Sequence, residues 1–340
     1  MSFPWEPAAA TGIGSLPGED SREAARILVG ELPDFLHVPE LPNRGPGGDC
    51  IGRTGALLHA VGSDFGLETT ADGWRITDGK SRLMRRAISW IGEDLDALEE
   101  FGQDYSGPLK TQIAGPWTLA ASIELAGGER LLKDAGACRD LAGALAEAVR
   151  THVAELKSRF PMATILLQVD EPGLNAVLDG TIGSVSGLSR FDPVDPPVAQ
   201  DALREVLTAV PEVVSGVHCC AARPPIRVIT NANAGFVSFD LTLAGIDEDA
   251  IGEAWESGVG IWAGSVNPLA HIDARKSDAM VSAPMRTLAH HLGMEDAEHM
   301  ASVVITPSCG CAGARWSQVR SAYSACVRAG RVLRQEEPSG

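Results

Sequence analysis

The chain has 340 residues, 44% of them hydrophobic, and a formal net charge of -17. That acidity leaves no basic surface for nucleic acid or an anionic membrane, and no apolar run approaches the roughly 18 residues that a bilayer span needs. The N-terminus lacks the layout of a signal peptide, and the seven cysteines are an odd number. A cytoplasmic protein with free thiols or metal ligands is expected, rather than a disulfide framework.

The first candidate strand, 11–15 (Thr-Gly-Ile-Gly-Ser), leads into a helical pattern at 20–31. The second, 34–38, is followed by a segment too long for an ordinary loop, 39–79, which is rich in Gly and Pro at 42–48. It holds a helix at 51–62 and a short extended piece at 73–76. A helix at 80–102 presents Arg82, Arg85 and Arg86 as a solvated face before strand 109–113 and helix 117–126. Helix 138–159, strand 164–169, a second long Gly/Ser-rich loop at 173–195, helix 197–209 and strand 213–218 follow. Strand 235–239, helix 247–256, strand 258–262, helix 278–291, strand 302–306 and helix 314–334 complete the chain.

Eight strands alternating with helices predict an α/β protein, a single (β/α)8 TIM barrel occupying 1–340 with no second domain. Such barrels keep their chemistry at the C-terminal ends of the strands, so the two long loops are expected at that rim, as a lid or pocket wall.

Three stretches carry metal chemistry: Val217-His218-Cys219-Cys220, Phe239-Asp240 and Pro307-Ser308-Cys309-Gly310-Cys311. Each follows a β-branched run and so sits at a strand end. A histidine, one or two thiols and a carboxylate meeting at one rim form a zinc set, with room for one more ligand in a catalytic site. Side chains alternate along a strand, so His218 and Cys220 share one side while Cys219 points away to pack against a helix. The same alternation leaves Cys309 and Cys311 both open as ligands. Cys138 and Cys326, each inside a helical pattern, read as buried small hydrophobes.

These residues resemble the zinc site in the catalytic domain of the cobalamin-independent methionine synthase family. The resemblance implies His218, Cys220, Asp240 and Cys309 as zinc ligands. Asp stands where the family has Glu, one methylene shorter, which leaves Asp240 or water as the fourth. It extends to Ile13-Gly14-Ser15, to Gln168-Val169-Asp170-Glu171-Pro172 and to Glu40 in His37-Val38-Pro39-Glu40. It therefore implies Ile13, Ser15, Glu40 and Asp170 as substrate-binding residues, the serine toward the carboxylate of homocysteine and the acids toward its ammonium. A zwitterion in a dry pocket needs such complements. By themselves Ser15 reads equally as a turn residue and Glu171 as a helix N-terminal acid.

The implied function is zinc-dependent methyl transfer to homocysteine or another small thiol, giving methionine. Zinc deprotonates the thiol while leaving its sulfur nucleophilic. The family's Asp-Ile-His-Ser-Pro after the seventh strand is replaced here by Trp262-Ala263-Gly264-Ser265-Val266-Asn267-Pro268. The acid that protonates a departing folate nitrogen is therefore missing. A methylcorrinoid, on a corrinoid protein or as methylcobalamin, needs no such acid and is the expected donor, with nearby His271 a substitute acid otherwise. The alternatives are a uroporphyrinogen decarboxylase-like enzyme on the same barrel, or a zinc- or corrinoid-handling partner without chemistry of its own.

Overall fold

The computed structural model describes residues 3–71, 73–77, 81–270, 272 and 277–335. Strand β1 (Ala9–Ala10) precedes helix α1 (Ser21–Glu31), which starts where the Asp20 carboxylate accepts from the amides of Arg22 and Glu23. Strand β2 (Leu36–His37), helix α2 (Cys50–Ala60) and the antiparallel hairpin of β3 (Gly66–Thr69) and β4 (Trp74–Thr77) follow. Next come α3 (Arg82–Phe101), β5 (Pro108–Ala114), α4 (Pro116–Ser122), β6 (Ile123–Glu124) and α5 (Ala135–Arg159). Then β7 (Thr164–Asp170), α6 (Leu174–Leu178), α7 (Pro196–Leu207), β8 (Val214–Cys219), α8 (Ile226–Asn231) and β9 (Phe236–Asp240). The remainder is α9 (Glu248–Glu256), β10 (Gly260–Val266), α10 (Ser277–Leu292), α11 (Ala297–Met300), β11 (Val303–Pro307) and α12 (Trp316–Gln335).

Eight of these strands form one parallel sheet in the order β1-β11-β10-β9-β8-β7-β5-β2. The sheet curls into the TIM barrel that the alternating pattern predicts. Its two end strands meet above their own ladders: Ser15 and Glu40 form a parallel bridge, with the Leu16 amide donating to the Glu40 carbonyl at 2.8 Å. No helix among the described residues is long and apolar enough to cross a membrane.

The barrel interior is graded from apolar to polar. Trp5, Phe35, Leu166, Phe236, Trp262 and Val304 pack together at its N-terminal end, Phe236 and Trp262 stacked at 3.7 Å. Above them, inward-facing Thr11, His37, Lys110, Gln168 and Thr306 are all fully buried. The Thr11 and Thr306 hydroxyls have no hydrogen-bond partner among the described residues, whereas the longer groups are bonded. His37 Nε2 pairs with the Tyr323 hydroxyl at 3.0 Å, and Gln168 Nε2 donates to the Ile13 carbonyl at 2.9 Å. The rim comes next.

Several boundaries differ from those expected. The first ladder is Ala9–Ala10, and 11–15 runs above it, because Gly12 lies against His37 and Tyr323, where any side chain would strike both. The helix expected at 117–126 stops at Ser122, since Ile123 and Glu124 pair with Trp74 and Arg75 of the hairpin. The loop at 173–195 contains α6, and α8 and α11 were not foreseen.

An ionic cluster pins the segment after β2. Asp94 of α3, fully buried, accepts from Ser21 Oγ at 2.8 Å and Arg53 Nη1 at 2.6 Å, and Arg44 Nη1 stands 3.0 Å from it. One carboxylate thus ties α1, α2, α3 and the chain just beyond Glu40.

Candidate metal centre and its pocket

Strand β8 delivers His218 and Cys220 to the same face, and the turn after β11 brings Cys309 to them. The ligand atoms of the three lie within 4.8 Å of one another, with the Cys220 and Cys309 sulfurs 3.3 Å apart. Two further observations fit a metal. His218 Nε2 is buried with no hydrogen-bond partner, while Nδ1 is fixed by Ser238 Oγ of the adjacent strand at 2.9 Å. An imidazole anchored through one nitrogen and bare at the other is how metal-binding histidines are oriented. The Cys309 thiol is held well below the usual thiol range, by the thiol of Cys220 first and by His218 second, and Cys220 is pushed up in turn. The pair shares a proton that a cation would displace. One imidazole and two thiols, partly open to solvent at Cys309, suit zinc with a free coordination position.

The other cysteines of these stretches are turned elsewhere. Cys219 is fully buried, its sulfur 3.7 Å from Asn175 Oδ1, and burial pushes its thiol up to about 12. Cys311 is likewise buried, with a thiol pushed up to about 12. Asp240 stands outside the group: its Oδ1 accepts from the Thr242 amide at 2.9 Å and hydroxyl at 2.6 Å. Of the four expected ligands the structure thus brings three together, and the Asp240 carboxylate forms a turn through its Oδ1.

Asp170 is in register with His218 across β7 and β8. Its Oδ1 accepts from Gln168 Nε2 at 2.7 Å, and burial pushes its carboxyl up to about 6 against the opposing pull of His218 and Lys110. Glu40 is also buried and is pushed up to about 7 by that burial, with Arg53 and Lys110 opposing and Asp170 reinforcing. Ser15 lies beside Glu40 through their bridge and over Gly310, where a Cβ would collide with its hydroxyl. The Cys311 amide donates to the Ser15 carbonyl at 2.8 Å. Ser15, Glu40 and Asp170 thus gather next to the metal group. Ile13 contributes its carbonyl instead, turned inward to Lys110 and Gln168.

Glu171 does not join them. Its two oxygens accept from the amides of Trp117 and Thr118 at 2.9 and 2.7 Å and cap α4, whose own N-cap, Gly115, has no side chain. A Cβ at Gly115 would meet that carboxyl, so glycine and glutamate are matched. His271 lies outside the described residues. Sequence reading missed Ser238, Lys110, Gln112 and Cys50, the last set at the head of α2, where burial and the charges of Glu40 and Asp170 raise its thiol. A signal existed for Lys110 and Gln112, two long polar residues at the same parity of one strand.

No family model matches the sequence, and no curated protein matches it. Solved structures do. A B12-independent methionine synthase from Shewanella sp. W3-18-1, in complex with selenomethionine, superposes with a TM-score of 0.63 at 12% identity, over 96% of this chain and 98% of that one. GH5_18 from Streptomyces cattleya, in complex with GlcNAc, gives 0.51 at 16% identity over 98% and 82%. At these identities both are likenesses of fold.

Proposed function

We propose that the chain is a zinc-dependent thiol methyltransferase with homocysteine as its acceptor. The reading rests on one observation: two buried carboxylates, Asp170 and Glu40, and the Ser15 hydroxyl stand beside a His218, Cys220, Cys309 group at a single rim. Homocysteine carries an ammonium, a carboxylate and a thiol, which match these three features in turn. The fold likeness to a methionine synthase supports the same direction.

Held by His218, Cys220 and Cys309, zinc would supply deprotonation of an alkyl thiol with pKa of about 8.5 while leaving the sulfur nucleophilic. The chain's own residues do the rest. Ser238 keeps the His218 ring in one orientation. Asp170 and Glu40 are raised by burial even against the nearby charges of Lys110 and Arg53, and an arriving ammonium would stabilise their ionised forms while fixing the direction of the acceptor. Ser15, above Gly310, offers its hydroxyl to the carboxylate end.

Asp170→Asn keeps the volume and removes the charge. It should weaken homocysteine binding by about 1.5–3 kcal/mol, the usual worth of a charge-assisted hydrogen bond. Calorimetric titration together with zinc analysis checks this, and unaltered affinity at full zinc content would remove Asp170 from the pocket.

We assign the methyl donor to a methylated corrinoid. Methyltetrahydrofolate has a poor amine leaving group that needs an acid, whereas cobalt leaves without a proton. At the end of β10 stand Gly264 and Ser265, whose hydroxyl donates to the Ala263 carbonyl at 3.2 Å, and neither is an acid. Zinc-loaded enzyme with homocysteine should form methionine faster from methylcobalamin than from methyltetrahydrofolate at equal concentration. Equal or faster turnover with the folate overturns the donor assignment, and methionine from neither overturns the methyltransferase reading.

A further inference from the structure

Lys110 is fully buried on β5, facing the barrel interior. Its Nζ donates to the Ile13 carbonyl at 2.6 Å and to Gln112 Oε1 at 3.1 Å, and neither acceptor is charged. Removing an ammonium from water costs several kcal/mol, and burial lowers Lys110 to about 7, with the charges of Asp170 and Glu40 rather than its two bonded acceptors opposing that fall. What those acceptors do is informative. The Ile13 carbonyl takes a second donor, Gln168 Nε2, at 2.9 Å. The next residue, Gly14, has φ of +152° and rests on the Gln112 side chain, which a Cβ would approach to 2.7 Å. Gln112 is itself tied to the Val38 carbonyl at 2.8 Å, two residues before Glu40. Lys110 therefore lies under the turn that carries Ser15, and its partner Gln112 lies under the segment that carries Glu40.

We propose that Lys110 is a positioning residue: by holding the Ile13 carbonyl and Gln112 it fixes the Gly14-Ser15 turn, so that the pocket selects thiols bearing a carboxylate as well as an ammonium. This rests on the reading of the site as an aminothiol pocket. Lys110 touches no substrate and acts through Ser15.

The test compares two ligands on the zinc-loaded full chain: homocysteine, and 3-aminopropanethiol, which keeps the thiol and ammonium but lacks the carboxylate. Lys110→Met should weaken homocysteine relative to 3-aminopropanethiol by at least about 10-fold, as loss of a charged hydrogen bond does, the ratio cancelling the loss of its charge beside the Asp170 and Glu40 that both ligands share. Ser15→Ala should show the same pattern, and the double variant should be no worse than either single, because both act on one contact. Lys110→Gln, which keeps a donor, should recover part of the loss and serves alone if the methionine variant does not fold. In either variant the Leu16 amide, bonded to the Glu40 carbonyl, should exchange faster while the amides of β7 do not. Equal weakening of both ligands, additive losses, or unaltered exchange at Leu16 would each overturn the proposal. If the parent chain binds neither thiol, the methyltransferase reading fails, and the exchange measurement alone decides the role of Lys110.

Discussion

Cys309→Ser and Cys220→Ser should each yield a chain that purifies without zinc, whereas Cys219→Ser, Cys311→Ser and Asp240→Ala should each retain one zinc per chain. The contrast follows from geometry. The ligand atoms of His218, Cys220 and Cys309 converge within 4.8 Å, while Cys219 and Cys311 are buried away from them and Asp240 is spent on Thr242. Losing even an outer partner of a ligand costs about 10–100-fold in metal affinity, so losing one of three ligands should cost more. Metal analysis after dialysis against a mild chelator reads the result directly. A full zinc complement in Cys309→Ser would dismantle the centre as described, and an empty Cys219→Ser would show that the strand alternation at 218–220 had been misassigned.

Asp94→Ala should be the most damaging single change away from the rim. It leaves the guanidinium groups of Arg53 and Arg44, 8% and 6% exposed, without their shared counter-ion. Stranding a buried charge in this way costs about 3–5 kcal/mol. With an unfolding entropy of about 2.1 cal/mol/K per residue, that is roughly 4–7 °C in Tm for a chain of this length. Differential scanning calorimetry of the zinc-loaded protein measures it. Asp94→Leu combined with Arg53→Met should recover part of the loss, since an apolar pair tolerates burial better than a lone ion. A Tm within 1 °C of the parent would mean that water reaches the arginines and relieves them.

Much of this architecture was legible because it depends on period. The β-branched runs before 218, 240 and 307 marked strand ends, and alternation alone sorted His218 and Cys220 from Cys219. Features depending on a partner far along the chain were not legible. Asp240 stands at a strand end as expected, but its bond to Thr242, two residues on, is a local turn that the strand period does not announce. Glu171 read by itself as a helix N-terminal acid, and only the fold reveals which helix: the bare N-terminus of α4, one strand over, takes it. Lys110 was passed over because a charge within a strand ordinarily means solvent, and here it means the barrel interior. The choice between Cys309 and Cys311 hinged on a turn past the last strand, where period no longer applies.

The packed rings of Trp5, Phe35, Phe236 and Trp262, stacked and edge-on, make the barrel a blind well rather than a tunnel. Everything that reacts at the rim must arrive and depart through one mouth. For the small thiol and bulky methyl carrier proposed above this would impose a queue: the thiol would have to be seated before the carrier covered the opening, and the methylated product would stay until the carrier withdrew. A carrier docking first would block the thiol. Too much carrier would then slow the reaction it feeds, a kinetic property that originates in four aromatic side chains at the opposite end of the barrel from the chemistry.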